Sequence, residues 1–142
     1  MSVVVEPVDA FLDSYAAAVW DKDVDGFMRL YADEVVVFDA WDQSEYRGRD
    51  AWAPVVGRWF SSLNDEKVEV AFSDVQATNG SDVAFASALV TYAGISPKGK
   101  KLRSVTNRFT VALHRSTGRW EVAHEHSSLP VDGATGKAVF GS

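Results

Sequence analysis

The sequence predicts an α+β domain, with helices packed on one face of a curved antiparallel sheet. Two observations predict it. Helical spacing of apolar residues is confined to the first 63 residues, and four runs with strand-like character fill most of the remainder. A curved sheet closed by helices forms a cone with a pocket inside it.

Each element can be justified in turn. Pro7 fits the opening turn of a first helix and Asp9 lies near its start. Val8, Phe11, Leu12, Tyr15 and Val19 then recur at helical spacing. Asp21-Lys22-Asp23 breaks that helix, and Asp23 caps a shorter one carrying Phe27, Met28, Leu30 and Tyr31. Ala32-Asp33-Glu34 turns into a buried strand over 35–39, and a polar loop over 42–49 follows. A third helix has Asp50 near its start and Pro54 in its opening turns, with Val55, Val56, Trp59, Phe60 and Leu63 behind. Strands are expected over 68–75, 83–92, 104–115 and 119–128. Asn79-Gly80, the Lys98–Arg103 stretch and Thr117-Gly118 punctuate them as turns. The tail 131–142, with three glycines, is expected to be loose.

The bulk composition narrows the function. A chain of 142 residues, 46% hydrophobic and 24% charged, reads as a single domain over 1–142. Five Trp, eight Phe and four Tyr suit a large core or an aromatic-lined cavity. A net charge of −6 argues against nucleic acid as a partner, and the Lys98–Arg103 cluster reads as a solvated hairpin loop. Without cysteine there are no disulfides and no thiolate chemistry. The N-terminus has no basic leader region, and no stretch approaches the ~20 apolar residues of a membrane helix, so a cytoplasmic location is expected. No Gly-rich phosphate loop is present, and no cofactor is expected.

Asp39 stands out. It ends the apolar run Val35-Val36-Val37-Phe38, just before Trp41. A carboxylate there either finds strong donors or has its pKa raised, as a general base working near pH 7 requires. Trp41, Val56, Trp59 and Phe60, with Trp52, could wall an apolar cavity around it. His124 and His126, two apart on a strand, share a face, but zinc needs a third protein ligand and His114 points the other way, so no metal is expected.

The chain resembles the NTF2-like superfamily, in its SnoaL-like and ketosteroid-isomerase-like branch. The resemblance rests on Tyr15, the stretches Asp23–Met28 and Leu30–Val35, Asp39, Gly48-Arg49-Asp50-Ala51, and the ending Gly118-Arg119-Trp120 with His124–Ser128. Tyr15, Tyr31 and Asp39 fall in register with ketosteroid isomerase without a gap. The resemblance therefore implies Asp39 as base and Tyr15 as donor to a developing oxyanion, with Thr110 at the place of that enzyme's second acid.

It also bears on the last hairpin. A two-residue Thr117-Gly118 loop would set Thr110 opposite Glu125 and Arg108 opposite Ser127. The resemblance turns the set Arg108, Thr110, Glu125 and Ser127 into the cone. Hydrophobicity alone would choose Phe109, Val111, Leu113, Val122, His124 and His126. On the first choice Arg108 and Glu125 share the cavity with Asp39 and Tyr15, and Arg108 anchors an anionic group. A shift of one residue would instead make His126 the acid–base partner of Asp39. The expected function is binding of a small apolar, carbonyl-bearing molecule, with proton transfer next to the carbonyl of an isomerase, cyclase or dehydratase type. The alternative is a non-catalytic ligand-binding or oligomerisation module. Pairing of two copies through the outer sheet face is implied in either case.

Overall fold

The computed structural model describes residues 5–141. Residues 1–4, part of the N-terminal stretch read as lacking a leader, lie outside them. Helix α1 spans Pro7–Asp21 and buries Val8, Phe11, Leu12, Tyr15 and Val19, the stripe seen in the sequence. Lys22, in the left-handed region at φ 54°, ends it. Helix α2, Val24–Met28, is capped by the Asp23 carboxylate, which accepts from the Gly26 N–H at 3.0 Å. A Cβ at Gly26 would lie 2.2 Å from that carboxylate, so the cap itself requires glycine there.

Strand β1 (Tyr31–Phe38) begins four residues earlier than expected, so Tyr31 opens a strand rather than closing a helix. Sheet pairing overrides local propensity: Tyr31 pairs with Val122, and the Val122 N–H donates to the Leu30 carbonyl at 2.7 Å. The loop expected over 42–49 contains a short strand β2 (Tyr46–Arg47) paired with β1. Helix α3 (Arg49–Ser62) starts directly after Gly48, whose φ of 88° and hydrogen bond to the Val35 carbonyl turn the chain out of the sheet.

Strands β3 (Lys67–Asn79), β4 (Val83–Ile95), β5 (Lys101–Ser116) and β6 (Arg119–Ser128) follow. The sheet order is β2-β1-β6-β5-β4-β3. Every pairing is antiparallel except that of β1 with β6, which is parallel and makes the sheet mixed. Register shifts in β3 and β6 are bulges, which bend and twist strands. The helices fill the concave side, where Phe11, Tyr15, Phe27, Phe72 and Phe109 interlock with ring centroids 4.9–6.5 Å apart. On the convex side Val83, Phe85 and Leu89 form an exposed row on β4. The tail, expected to be loose, folds back through a Val131–Ala138 bridge. Phe140 stacks on Trp41 at 5.7 Å and accepts from the Thr106 N–H.

The β5–β6 hairpin decides what enters the cone. Its Thr117-Gly118 turn is the two-residue loop expected, with both residues at positive φ and Ser116 paired with Arg119. The pairing then slips by one: Leu113 faces Val122, but Ala112 faces His124, leaving Ala123 as a bulge. Beyond it Phe109 faces Ser127 and Val111 faces Glu125. The apolar face of β5 and the polar face of β6 thus come together on the concave side, where Asn107, Phe109, Val111, Glu125 and Ser127 are all buried.

Arg108 and Thr110 are accordingly exposed, not in the cavity as expected. Arg108 Nε donates to Ser128 Oγ at 3.0 Å instead of meeting Glu125. The one extra residue in β6 exchanges faces along only part of the strand, an outcome that a bulge-free register could not provide.

Candidate functional site

The concave side encloses a cavity of about 540 Å³, within the usual range for small-molecule sites. Trp41, Trp52, Val56, Trp59, Val68 and Val105 make much of its wall. Its polar groups are Tyr15, Asp39, Asp42, Tyr92, Ser104, Asn107, Glu125 and Ser127, with Arg58 and Arg103 also lining it. Of the residues singled out in the sequence, Asp39, Tyr15, Trp41, Val56, Trp59 and Glu125 meet here. Phe60 does not line the cavity; it is buried against Phe27 and Trp59 in the core. His126 is exposed, edge-on to Phe38 at 5.4 Å, and lines a second cavity on the other side of Asp39 and Ser127. His124 Nδ1 lies 2.7 Å from the Val36 carbonyl, which makes that nitrogen the donor.

Glu125 is the least expected member. It is 3% exposed, and no cation faces it among the described residues. The Tyr31 hydroxyl donates to its Oε1 at 2.5 Å. Desolvation dominates and pushes its pKa up to about 8. The Tyr31 hydrogen bond opposes the rise and the charge of Asp39 adds to it. At neutral pH Glu125 is therefore mainly a neutral acid, able to donate from its second oxygen.

Asp39 directly follows β1 beside it, because Val37 pairs with Glu125 and Phe38 with His126. Half-buried, it has its pKa raised by desolvation. Hydrogen bonds from Ser127 Oγ (3.1 Å) and from the Ala40 and Trp41 N–H groups hold that rise back. The two carboxyls thus differ in their surroundings: Asp39 is half-buried, with the Ser127 hydroxyl on it and two backbone N–H groups nearby, and Glu125 is buried with Tyr31 alone. Asp39 ionises first, against a still neutral Glu125. Environment separates the two carboxyls into one charged and one neutral group.

The donor expected of Tyr15 is present as a pair. Tyr15 and Tyr92 share a hydrogen bond at 2.8 Å, and whichever donates, the other proton remains free. Burial raises both pKa values, so both stay neutral donors. Trp52 Nε1 and Asn107 Oδ1 are buried with no partner. The indole N–H favours the Tyr31 anion by proximity without reaching hydrogen-bond geometry. Sequence reading left Tyr92 and Asn107 unmarked. Their alternation with Val90 on β4 and Phe109 on β5 carries no signal until the inward faces of the two strands are known.

The architecture is the NTF2-like fold. A structure of an NTF2-like protein of unknown function from Pseudomonas putida is similar, at 26% identity and a TM-score of 0.84, covering 95% of this chain and 92% of that one. So are Aln2 from a Streptomyces species (14%, 0.74, covering 89% and 93%) and a candidate calcium/calmodulin-dependent protein kinase II association domain from Xanthomonas campestris (19%, 0.72, covering 90% and 94%). No match to a curated protein is found. The family model of the SnoaL-like domain matches residues 8–132, and the chain belongs to that family.

The elevated pKa of Glu125 makes a prediction with a definite sign. Its folded pKa of about 8 lies above the ~4.3 of an unfolded glutamate, so between those values the folded state holds a proton the unfolded state has lost. Stability therefore falls as pH rises from about 4 through about 8. Glu125→Gln keeps an acceptor for Tyr31 and removes the titration. It should flatten the dependence measured by urea denaturation between pH 5 and 9, a difference of a few kcal/mol at the alkaline end. Parallel curves for the two proteins would contradict the assignment.

Proposed function

We propose that the chain binds a small, largely apolar carbonyl compound in this cavity and transfers a proton at the carbon next to the carbonyl. The observation that carries the reading is the pair of carboxyls in one aromatic cavity, one supplied with donors and the other buried without a cation. Ionised Asp39 takes the α-proton, and the electron pair of that C–H bond passes to the carbonyl oxygen as an enolate. Neutral Glu125 and the Tyr15–Tyr92 pair donate to that oxygen, in the part expected of Thr110. Donors aimed at developing charge in a site with little water are worth more than in solution. Return of the proton to a different carbon gives isomerisation, and its transfer from Asp39 to a departing β-hydroxyl, which leaves as water, gives dehydration.

Exchange of the α-protons of acetonaphthone in D2O, followed by NMR, tests this. The wild-type protein should accelerate exchange, and Asp39→Asn should reduce the enzymatic rate by about 100-fold or more while the ketone still binds. A wild-type protein that binds the ketone without accelerating exchange would leave a ligand carrier.

The exposed row Val83, Phe85 and Leu89 supports the further proposal that two copies pair through the convex face. Sedimentation equilibrium should give a dimer mass that Phe85→Glu reduces to a monomer. A monomeric wild-type protein would dismiss the pairing.

A further inference from the structure

Strand β5 runs past the end of its neighbour. Its pairing with β6 stops at Arg108 and Ser128, so residues 101–107 of β5 have no strand on that side. An edge of this kind carries backbone groups that need partners. The tail covers part of it. The Phe140 carbonyl accepts from the Thr106 N–H at 3.1 Å, and the Phe140 ring stacks on Trp41 with centroids 5.7 Å apart. Phe140 thus bridges a notch in the sheet, with β5 on one side and the loop after β1 on the other.

The rest of the tail is bonded to itself. The Asp132 N–H donates to the Lys137 carbonyl, Val131 bridges Ala138, and the Val139 N–H donates to the Pro130 carbonyl. Every residue over 131–141 is exposed. Beneath it is a hollow of about 650 Å³, lined by Val131 and Ala138 of the tail and by Phe38 and His126 of the body. Among the described residues, Phe140 makes the one hydrogen bond and the one ring contact that tie this segment to the body. A segment with its own turn and no buried residue opens more readily than the sheet it rests on. Trp41 is where the opening has an effect. Asp39, Trp41 and Ser127 line both the concave cavity and the hollow, so they form the partition between the two.

We propose that residues 131–141 form a strap, latched by Phe140, whose opening frees Trp41 and admits ligand to the concave cavity beside Asp39. Closed, the strap braces the indole and shields the outer side of Asp39. Closures of this kind set the rates of binding and release in many enzymes. The gating half of the inference rests on the cavity as the carbonyl site, and the latch does not.

Two measurements on the full chain and its Phe140→Ser variant test it. Hydrogen exchange reads the latch without ligand. The Thr106 amide should exchange well before the amides bonded between β5 and β6. Phe140→Ser, which keeps the backbone carbonyl and removes the stacked ring, should speed that exchange about fivefold or more. A Thr106 amide that exchanges only with the strand amides, or equally fast in both proteins, overturns the strap. Stopped-flow binding of acetonaphthone reads the gate. Phe140→Ser should raise the association and dissociation rates by a common factor and leave the affinity within about twofold. Faster dissociation alone would make Phe140 part of the cavity wall and overturn the gate, as would unchanged rates. A ketone that does not bind the wild type removes the carbonyl reading and the gate with it, and Thr106 exchange then decides the strap alone.

Discussion

A carboxyl sealed inside a protein with one tyrosine hydroxyl beside it and no cation in reach does not stay charged at neutral pH. Glu125 is in that position, and the chemistry assigned to the cavity depends on it. The aromatic residues of α1, α2, α3, β3 and β4 keep water from it, and Tyr31 fixes one of its oxygens. A cation at the place of the Tyr31 hydroxyl would lose the acid, since a nearby positive charge would hold the carboxyl ionised.

The same burial gives Asp39 its meaning. Two carboxyls on neighbouring strands repel when both are charged, so one must yield its proton last. The donors are distributed unequally: Ser127 and two backbone N–H groups serve Asp39, while Glu125 has Tyr31 alone. Parallel pairing of β1 with β6 sets the two groups side by side. The Ala123 bulge turns Glu125 and Ser127 to the same face as the apolar residues of β5. Without it, an acidic cluster and a hydrophobic wall would occupy opposite faces of the sheet.

This bulge also marks where the sequence stops being readable. Helix α1, the Asp23 cap, the hairpin turn at Thr117-Gly118 and the α+β order were legible, because each follows from local spacing or turn chemistry. Asp39, Tyr15, Trp41, Val56, Trp59 and Glu125, grouped from the sequence, all line the one concave cavity. Arg108, Thr110 and His126 do not, because one unpaired alanine exchanges the faces of β6 midway and leaves no local trace. Two cues disagreed about the hairpin, hydrophobicity for β5 and family resemblance for β6, and each was right for one strand. Tyr31 was placed on a helix because its partner Val122 lies 91 positions away, beyond the reach of any local pattern.

The central claim is that one carboxyl in this cavity is neutral at pH 7 while its neighbour is charged. Carbon-detected NMR titration of the Asp and Glu side-chain carboxyls, with Glu125→Gln and Asp39→Asn as assignment controls, addresses it directly. The account predicts two separated steps: Asp39 first, raised from its ordinary value, and Glu125 near pH 8. Removal of the Asp39 charge should bring the Glu125 step down. A Glu125 that is fully ionised by pH 5 would contradict the account, since the cavity would then hold two anions and no acid.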